Sequence, residues 1–281
     1  MFTFTIEDFV RLRDFIYKRT GIFFEEKKIY FVKRRIIERM KELGLETGKE
    51  YYRYLKFKDL EKKEFQNLIN MLTTNETYFF REYYQLQVFG EELLADFEEK
   101  KIKNSEELKL RIWSAGCSTG EEPYTLAIIV MEILDDYKKW DIEIIATDID
   151  ENVLEKAKKG HYGSRAVKDV PLKYLEKYFF KLSDNEYAIK DDVKKLVTFR
   201  KLNLMDAVNI RHYKGMDYIF CRNVLIYFSD DARKEVVAHF YNALNPGGFI
   251  FLGHSESLSR ITTAFRLKKV KDVILYYKPE K

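Results

Sequence analysis

The chain has 281 residues, 46% hydrophobic and 16% aromatic with only 4 prolines, which excludes disorder and leaves ample material for a large core. Lys and Arg exceed Asp and Glu by 50 to 46, a formal +4 that is too small to mark a nucleic-acid binder. The excess is local: residues 1–73 hold 17 basic and 12 acidic side chains, and the rest of the chain is nearly balanced.

The first 73 residues read as helices. Thr5 is placed to cap the first, with Glu7 and Asp8 in its opening turn where the helix dipole favours acids, and Gly21 closes it. In the second, Ile29, Val32, Ile36, Met40 and Leu43 recur at steps of three and four, and Gly44 ends the pattern. Two more helices are predicted around "KEYYRYLKF" and "LEKKEFQNLINMLTT". The domain boundary falls at Thr73–Thr74, giving a helical domain over 1–73 and a second domain over 74–281.

The second domain opens with a predicted helix from about Arg81 to Lys101. The apolar runs "LRIWSAG", "EIIATDI", "MDYIFCRNVLI" and "GFIFLGH" then alternate with helical stretches. Such alternation implies right-handed crossovers and a mostly parallel sheet buried on both faces. The tail "AFRLKKVKDVILYYK" predicts an antiparallel edge. Residues from about 176 to 202 read as strand, Asp184–Asn185 turn, strand, turn, strand, a small antiparallel subdomain inserted in the α/β domain.

No apolar run reaches the roughly 18 residues of a membrane span. The opening "MFTFTIEDFV" lacks the basic flank and apolar core of a signal peptide. The two cysteines and four histidines form no metal-spaced set, so no metal is expected. A reduced, cytoplasmic protein is expected, without membrane insertion.

The loop "SAGCSTGEEPY" carries the chemistry. Gly116 and Gly120 allow close approach of a ligand to backbone, and the following helix presents free amides. Glu121 and Glu122 would repel a pyrophosphate, so a cationic or zwitterionic ligand is indicated. The second strand ends in "ATDID", where Asp148 is placed to hold a ribose and Asp150 to cap the next helix. An adenosine-bearing ligand without a pyrophosphate follows, and S-adenosylmethionine fits. Seven basic residues crowd the second helix (Lys27, Lys28, Lys33, Arg34, Arg35, Arg39 and Lys41), a charged face or an internally paired one.

Four stretches, "TTNETYFFRE", "STGEEPY", "IFCRNVLIYF" and "LNPGGFIFLGHSESL", closely resemble the chemotaxis receptor glutamate O-methyltransferases, the CheR family. The resemblance spans nearly the whole chain. It implies a class I S-adenosylmethionine-dependent methyltransferase fold, Rossmann-like, with an N-terminal all-α domain for receptor recognition. It implies transfer of methyl groups from S-adenosylmethionine to glutamate carboxylates of chemoreceptors, with S-adenosylhomocysteine as product. Asn75, Thr77 and Arg81 match the family's motif beside the cofactor and the transferring methyl. Glu121 would contact the cofactor (Glu122 less certainly), Asp148 the ribose, and Asn203 and Leu204 would lie beside the adenine. Arg222 and Asn223 match the motif after the fourth strand, and Tyr227 would stand near the acceptor. Arg81 and Tyr227 are the candidate catalytic residues. The implied partner is the cytoplasmic helical region of chemoreceptors, met through the basic helix at about 25–44, by a monomer. Two alternatives stand beside this one. A nucleic-acid methyltransferase would carry a proline-rich motif where this chain has "CRNVLIY"; a non-catalytic S-adenosylmethionine-binding signalling module would not need Arg81.

Overall fold

The computed structural model describes residues 2–280. Four helices form the N-terminal domain: α1 (Ile6–Thr20), α2 (Ile29–Glu42), α3 (Gly48–Phe57) and α4 (Lys63–Leu72). Two of them start at capping boxes, Thr5 with Asp8 and Thr47 with Glu50. Gly21 ends α1 in the left-handed conformation at φ 72°. The apolar stripes of all four meet in one core that includes Phe9, Leu12, Ile16, Val32, Ile36, Met40, Tyr51 and Leu68.

A buried polar set fixes how these helices pack. Glu64 of α4 receives Arg39 Nε at 3.0 Å and Nη2 at 2.6 Å, and the Tyr51 hydroxyl at 2.7 Å. Burial, with the Glu64 carboxylate alongside, pushes the Tyr51 phenol well up, which keeps it a donor. Arg35 also turns inward, donating to the Met71 carbonyl at 2.5 Å and stacking 3.5 Å from the Phe31 ring centroid. Two of the seven basic residues counted on this helix are therefore structural. Lys27, Lys28, Arg34 and Lys41 remain exposed.

The first helix of the second domain begins two residues later than the periodicity suggests. Helical structure runs from Tyr83 to Lys103 as α5 (Tyr83–Val88), a π-helical turn (Phe89–Leu94) and α6 (Ala95–Lys103). Arg81 lies in the loop before it, between Phe80 and Glu82, both left-handed at φ 58° and 57°. There follow β1 (Lys109–Ala115), α7 (Glu121–Ile133), β2 (Asp141–Asp148), α8 (Glu151–Lys159), β3 (His161–Gly163), α9 (Ser164–Val167) and α10 (Leu172–Tyr178). The chain continues with β4 (Phe179–Ser183), β5 (Glu186–Ile189), α11 (Asp191–Lys194), β6 (Val197–Lys201), β7 (Met216–Cys221), α12 (Asp230–Ala243), β8 (Leu244–Leu252), β9 (Arg266–Val270) and β10 (Val273–Tyr277).

The main sheet has the order β6-β2-β1-β7-β8-β10-β9. The pairs from β6 to β8 are parallel, and β10 pairs antiparallel with both β8 and β9. Alternate residues face opposite layers, so Ile112, Tyr218, Phe220 and Phe251 share one core while Trp113, Ile219, Cys221 and Ile250 share the other. Chain order reverses at β1, whose neighbours are β2 and β7, and a crevice opens there beyond the strand ends.

The inserted subdomain is not the 176–202 segment expected from sequence. Its three-stranded sheet is β3-β5-β4, spanning 161–189. The third strand assigned to it, β6, joins the main sheet, pairing Val197 with Ile144 and Lys201 with Asp148. The Phe199 side chain draws it there, packing edge-on to Tyr124 at 5.5 Å. The missing member, β3, is three residues long, too short to show a period.

The helical domain sits directly on the strand ends. Asn203 Nδ2 donates to the Arg19 carbonyl at 2.6 Å, and the Phe23 amide to the Tyr227 carbonyl at 2.9 Å. Ile22 pairs with Phe228 as an antiparallel bridge. Among the described residues no helix is long and apolar enough to cross a membrane.

Candidate cofactor and acceptor site

A cavity of about 1420 Å³, part of it open to solvent, lies between the strand ends, the 73–81 segment and the end of α1. Its walls combine apolar side chains with a few convergent polar groups, the make-up of a small-ligand site. Gly116 at φ 82° turns the chain away from β1, and a Cβ there would lie 2.4 Å from Val224 Cγ2. The floor of the crevice thus requires glycine at this position.

Asp148 ends β2 inside this cavity. Its Oδ2 accepts the Ser118 amide at 2.8 Å and its Oδ1 the Asp150 amide at 3.0 Å. Each oxygen keeps a further lone pair for a ligand hydroxyl. Burial, opposed by those amides, raises this carboxyl to about 6. Asp150 caps α8, accepting from the Asn152 and Val153 amides. Its other oxygen accepts Thr73 Oγ1 at 3.0 Å and Asn75 Nδ2 at 2.9 Å, latching the domain boundary onto the sheet.

Asn75, Thr77, Arg81 and Asp148 all line the cavity, as do Asn203, Leu204, Arg222, Asn223 and Tyr227. Glu121 does not, which corrects the expectation from the glycine loop. Its carboxylate turns inward, accepts Thr119 Oγ1 at 2.6 Å and is raised by burial. Successive helix residues point about 100° apart, and it is Glu122 that faces the cavity. Ser114 Oγ donates to Glu122 at 2.7 Å, and Arg222 Nη1 stands 3.4 Å away.

Some of these side chains hold the walls as well as line them. Arg222, almost fully buried, places Nη2 2.5 Å from the Arg81 carbonyl and 3.2 Å from Glu82 Oε2. It thereby stabilises the left-handed turn that presents Arg81. Arg81 Nη1 donates to the backbone carbonyl of Glu76 at 3.0 Å, and among the described residues no carboxylate pairs with it. The Glu76 carboxylate pairs with Arg165 instead. Tyr227 is half-buried, its hydroxyl 3.4 Å from the Thr74 carbonyl, and burial raises its phenol.

The donor set suits S-adenosylmethionine. Glu122, whose carboxyl is raised chiefly by burial although Arg222 lies alongside, is a mostly buried acid that a further cation would stabilise. The Asn223 Oδ1 acceptor is buried in the wall without a partner among the described residues. Asp148 supplies hydroxyl acceptors, while Leu202 and Leu204 offer an apolar surface for a base. Sequence reasoning did not find the Arg222–Glu82 pair, the Thr73–Asp150–Asn75 latch or the contribution of Thr20 and Ile22 to the wall; all join distant parts of the chain and leave no local signal.

A pH dependence follows for ligand affinity. Asp148 accepts hydroxyl protons best when ionised, so binding strength is complete above the free pKa of about 6 and is lost as pH falls through it. Glu122, also raised, acts in the same direction. Calorimetric titration with S-adenosylhomocysteine is expected to show affinity rising from pH 5 to about 7 and then flattening. In Asp148→Asn the affinity is weaker and the rise smaller, and a flat wild-type profile would exclude this role for Asp148.

Comparison with known proteins agrees with this geometry over both domains. A family model described as "CheR methyltransferase, all-alpha domain" matches residues 7–73, and one described as "CheR methyltransferase, SAM binding domain" matches residues 75–274. Chemotaxis protein methyltransferase 2 of Vibrio cholerae is 44% identical over 277 residues, covering 99% of this chain and 94% of that protein. The chemotaxis protein methyltransferase of Borreliella burgdorferi is 38% identical, over 90% of this chain and 89% of its own. That of Escherichia coli is 35% identical, over 92% and 87%. With both domains matched and a cavity whose acids and glycine floor suit the cofactor, the chain belongs to the CheR family of S-adenosylmethionine-binding methyltransferases.

Proposed function

We propose that the protein methylates glutamate side-chain carboxylates of chemoreceptors, as an adaptation enzyme of chemotaxis. One observation supports the glutamate acceptor above all. Arg81 stands in the cavity wall near Tyr227 with its guanidinium free of any carboxylate among the described residues. By contrast Arg222 and Arg165, which contact the same segment, both have acidic partners.

S-adenosylmethionine supplies, when bound, an electrophilic methyl group on a sulfonium. A glutamate acceptor is already ionised near neutral pH, with an ordinary pKa of about 4.3, so the chain needs no general base. Its residues have two tasks, orientation and the exclusion of water. Arg81 orients the acceptor carboxylate through charge-assisted hydrogen bonds, and the Tyr227 hydroxyl, kept protonated by its raised pKa, donates a second. The end of α1 and the 73–81 segment wall the crevice and narrow its opening to solvent.

The exposed face of α2, with Tyr30, Arg34 and Lys41 around a shallow groove, is the surface this reading assigns to acidic receptor helices. Incubation with tritiated S-adenosylmethionine and receptor-bearing membranes tests both parts. Label on receptor bands that is released by mild base is the expected outcome, weakening as salt rises from low to high. Base-stable label would replace the glutamate reading with a nitrogen or carbon acceptor. Absence of label with cofactor binding intact would favour a non-catalytic module, and salt-independent labelling would remove the α2 surface from the account.

A further inference from the structure

The segment from Arg222 to Tyr227 carries five cavity residues, yet it is an irregular turn with little regular structure to hold it. Asn223 adopts φ 61°, a left-handed conformation in a residue other than glycine. What fixes it comes from the next strand. Glu256, in the loop after β8, accepts the Asn223 amide on Oε2 at 2.8 Å and the Gly253 amide on the same oxygen at 2.8 Å. Its Oε1 accepts the Ile226 amide at 3.3 Å. One carboxylate thus ties together the ends of two adjacent parallel strands and reaches the short turn that carries Tyr227.

The fit around this carboxylate is close. A Cβ at Gly253 would lie 2.8 Å from Asn223 Nδ2, 2.9 Å from Asn223 N and 2.9 Å from Glu256 Oε2. Glycine at 253 therefore lets the two loops touch, and the carboxylate satisfies the three amides that this contact would otherwise leave unpaired. Glu256 is not among the residues lining the cavity.

We propose that Glu256 is a positioning residue for the methyl-transfer site: it sets the Asn223 turn and the approach of Tyr227 without itself touching cofactor or acceptor. The proposal rests on reading the cavity as that site. A carboxylate is suited to the task because it accepts in several directions at once, whereas a glutamine in its place offers one acceptor oxygen and sets an NH₂ against an amide donor.

The experiment compares Glu256→Gln and Glu256→Ala with the wild-type chain at a temperature well below all their melting points. S-adenosylhomocysteine affinity is read by calorimetry, and kcat and KM are read on a receptor fragment at saturating cofactor. The alanine variant is expected to lose about 10²-fold in kcat, the scale of an ångström-sized misplacement, and to bind S-adenosylhomocysteine roughly tenfold more weakly. Glutamine is expected to fall between alanine and wild type in both readouts. A purely structural role would lower the melting temperature and leave both values near wild type in the folded protein, which would overturn the proposal. If alanine prevents folding, a folded glutamine variant with unchanged affinity and kcat overturns it equally. Wild-type protein that binds S-adenosylhomocysteine but methylates no receptor would sink the functional reading, while the order of affinities across the three proteins still decides the role of Glu256.

Discussion

Replacing Arg81 by alanine is expected to lower kcat for receptor methylation by about 10²–10³-fold, the usual loss when a preorganised donor to the reacting centre is removed. Folding should be nearly untouched. Arg81 is partly exposed, and its one hydrogen bond is to the Glu76 carbonyl. The turn that presents it is held by Arg222 and Glu82 through the backbone and their own side chains. Arg81→Lys keeps the charge but loses the planar fork, so an intermediate loss is expected. Steady-state kinetics on a receptor fragment with saturating cofactor checks both variants. A kcat within tenfold of wild type in the alanine variant would show that Arg81 does not orient the acceptor.

The second large effect concerns stability. Glu64→Ala is expected to destabilise the chain by about 2–4 kcal/mol, because it removes the buried acid of a mostly buried arginine, which keeps only the exposed Glu42 as a counter-charge, and leaves the buried Tyr51 hydroxyl without its acceptor. Glu64 is 3% exposed and holds both Arg39 and Tyr51, so three helices lose their shared tie at once. The triple variant Arg39→Met, Glu64→Leu, Tyr51→Phe is expected to recover most of that loss, since a packed apolar set avoids the desolvation cost of the ions. Urea unfolding measures both. A loss below about 1 kcal/mol for Glu64→Ala would mean that water reaches Arg39 once the acid is gone.

Sequence alone carried the parallel sheet, the glycine floor and most of the cavity residues, because each leaves a local trace: alternating apolar runs, a glycine between strand and helix, an acid at a strand end. It misplaced what depends on direction. Glu121 and Glu122 are adjacent letters, and only the phase of α7 decides which faces the ligand. Arg35 and Arg39 read as surface charge until Met71 and Glu64 are placed opposite them. Arg81 fits a helical period, but the left-handed residues on either side hold it in a loop. β6 follows the hairpin in sequence yet pairs with β2, a choice made by the packing of Phe199.

The latch of Thr73 and Asn75 onto Asp150 bears on how such proteins can be recombined. The seam between the two domains, where the composition changes and where the two family matches meet, is also a wall of the reaction chamber. A chimera joined at that seam would take its helical half and its catalytic half from different parents and divide the latch between them. The helical domain of this chain is therefore not a free-standing cassette. A transplanted helical domain must bring with it the segment through Glu82, or its new host must already offer an acid in the place of Asp150.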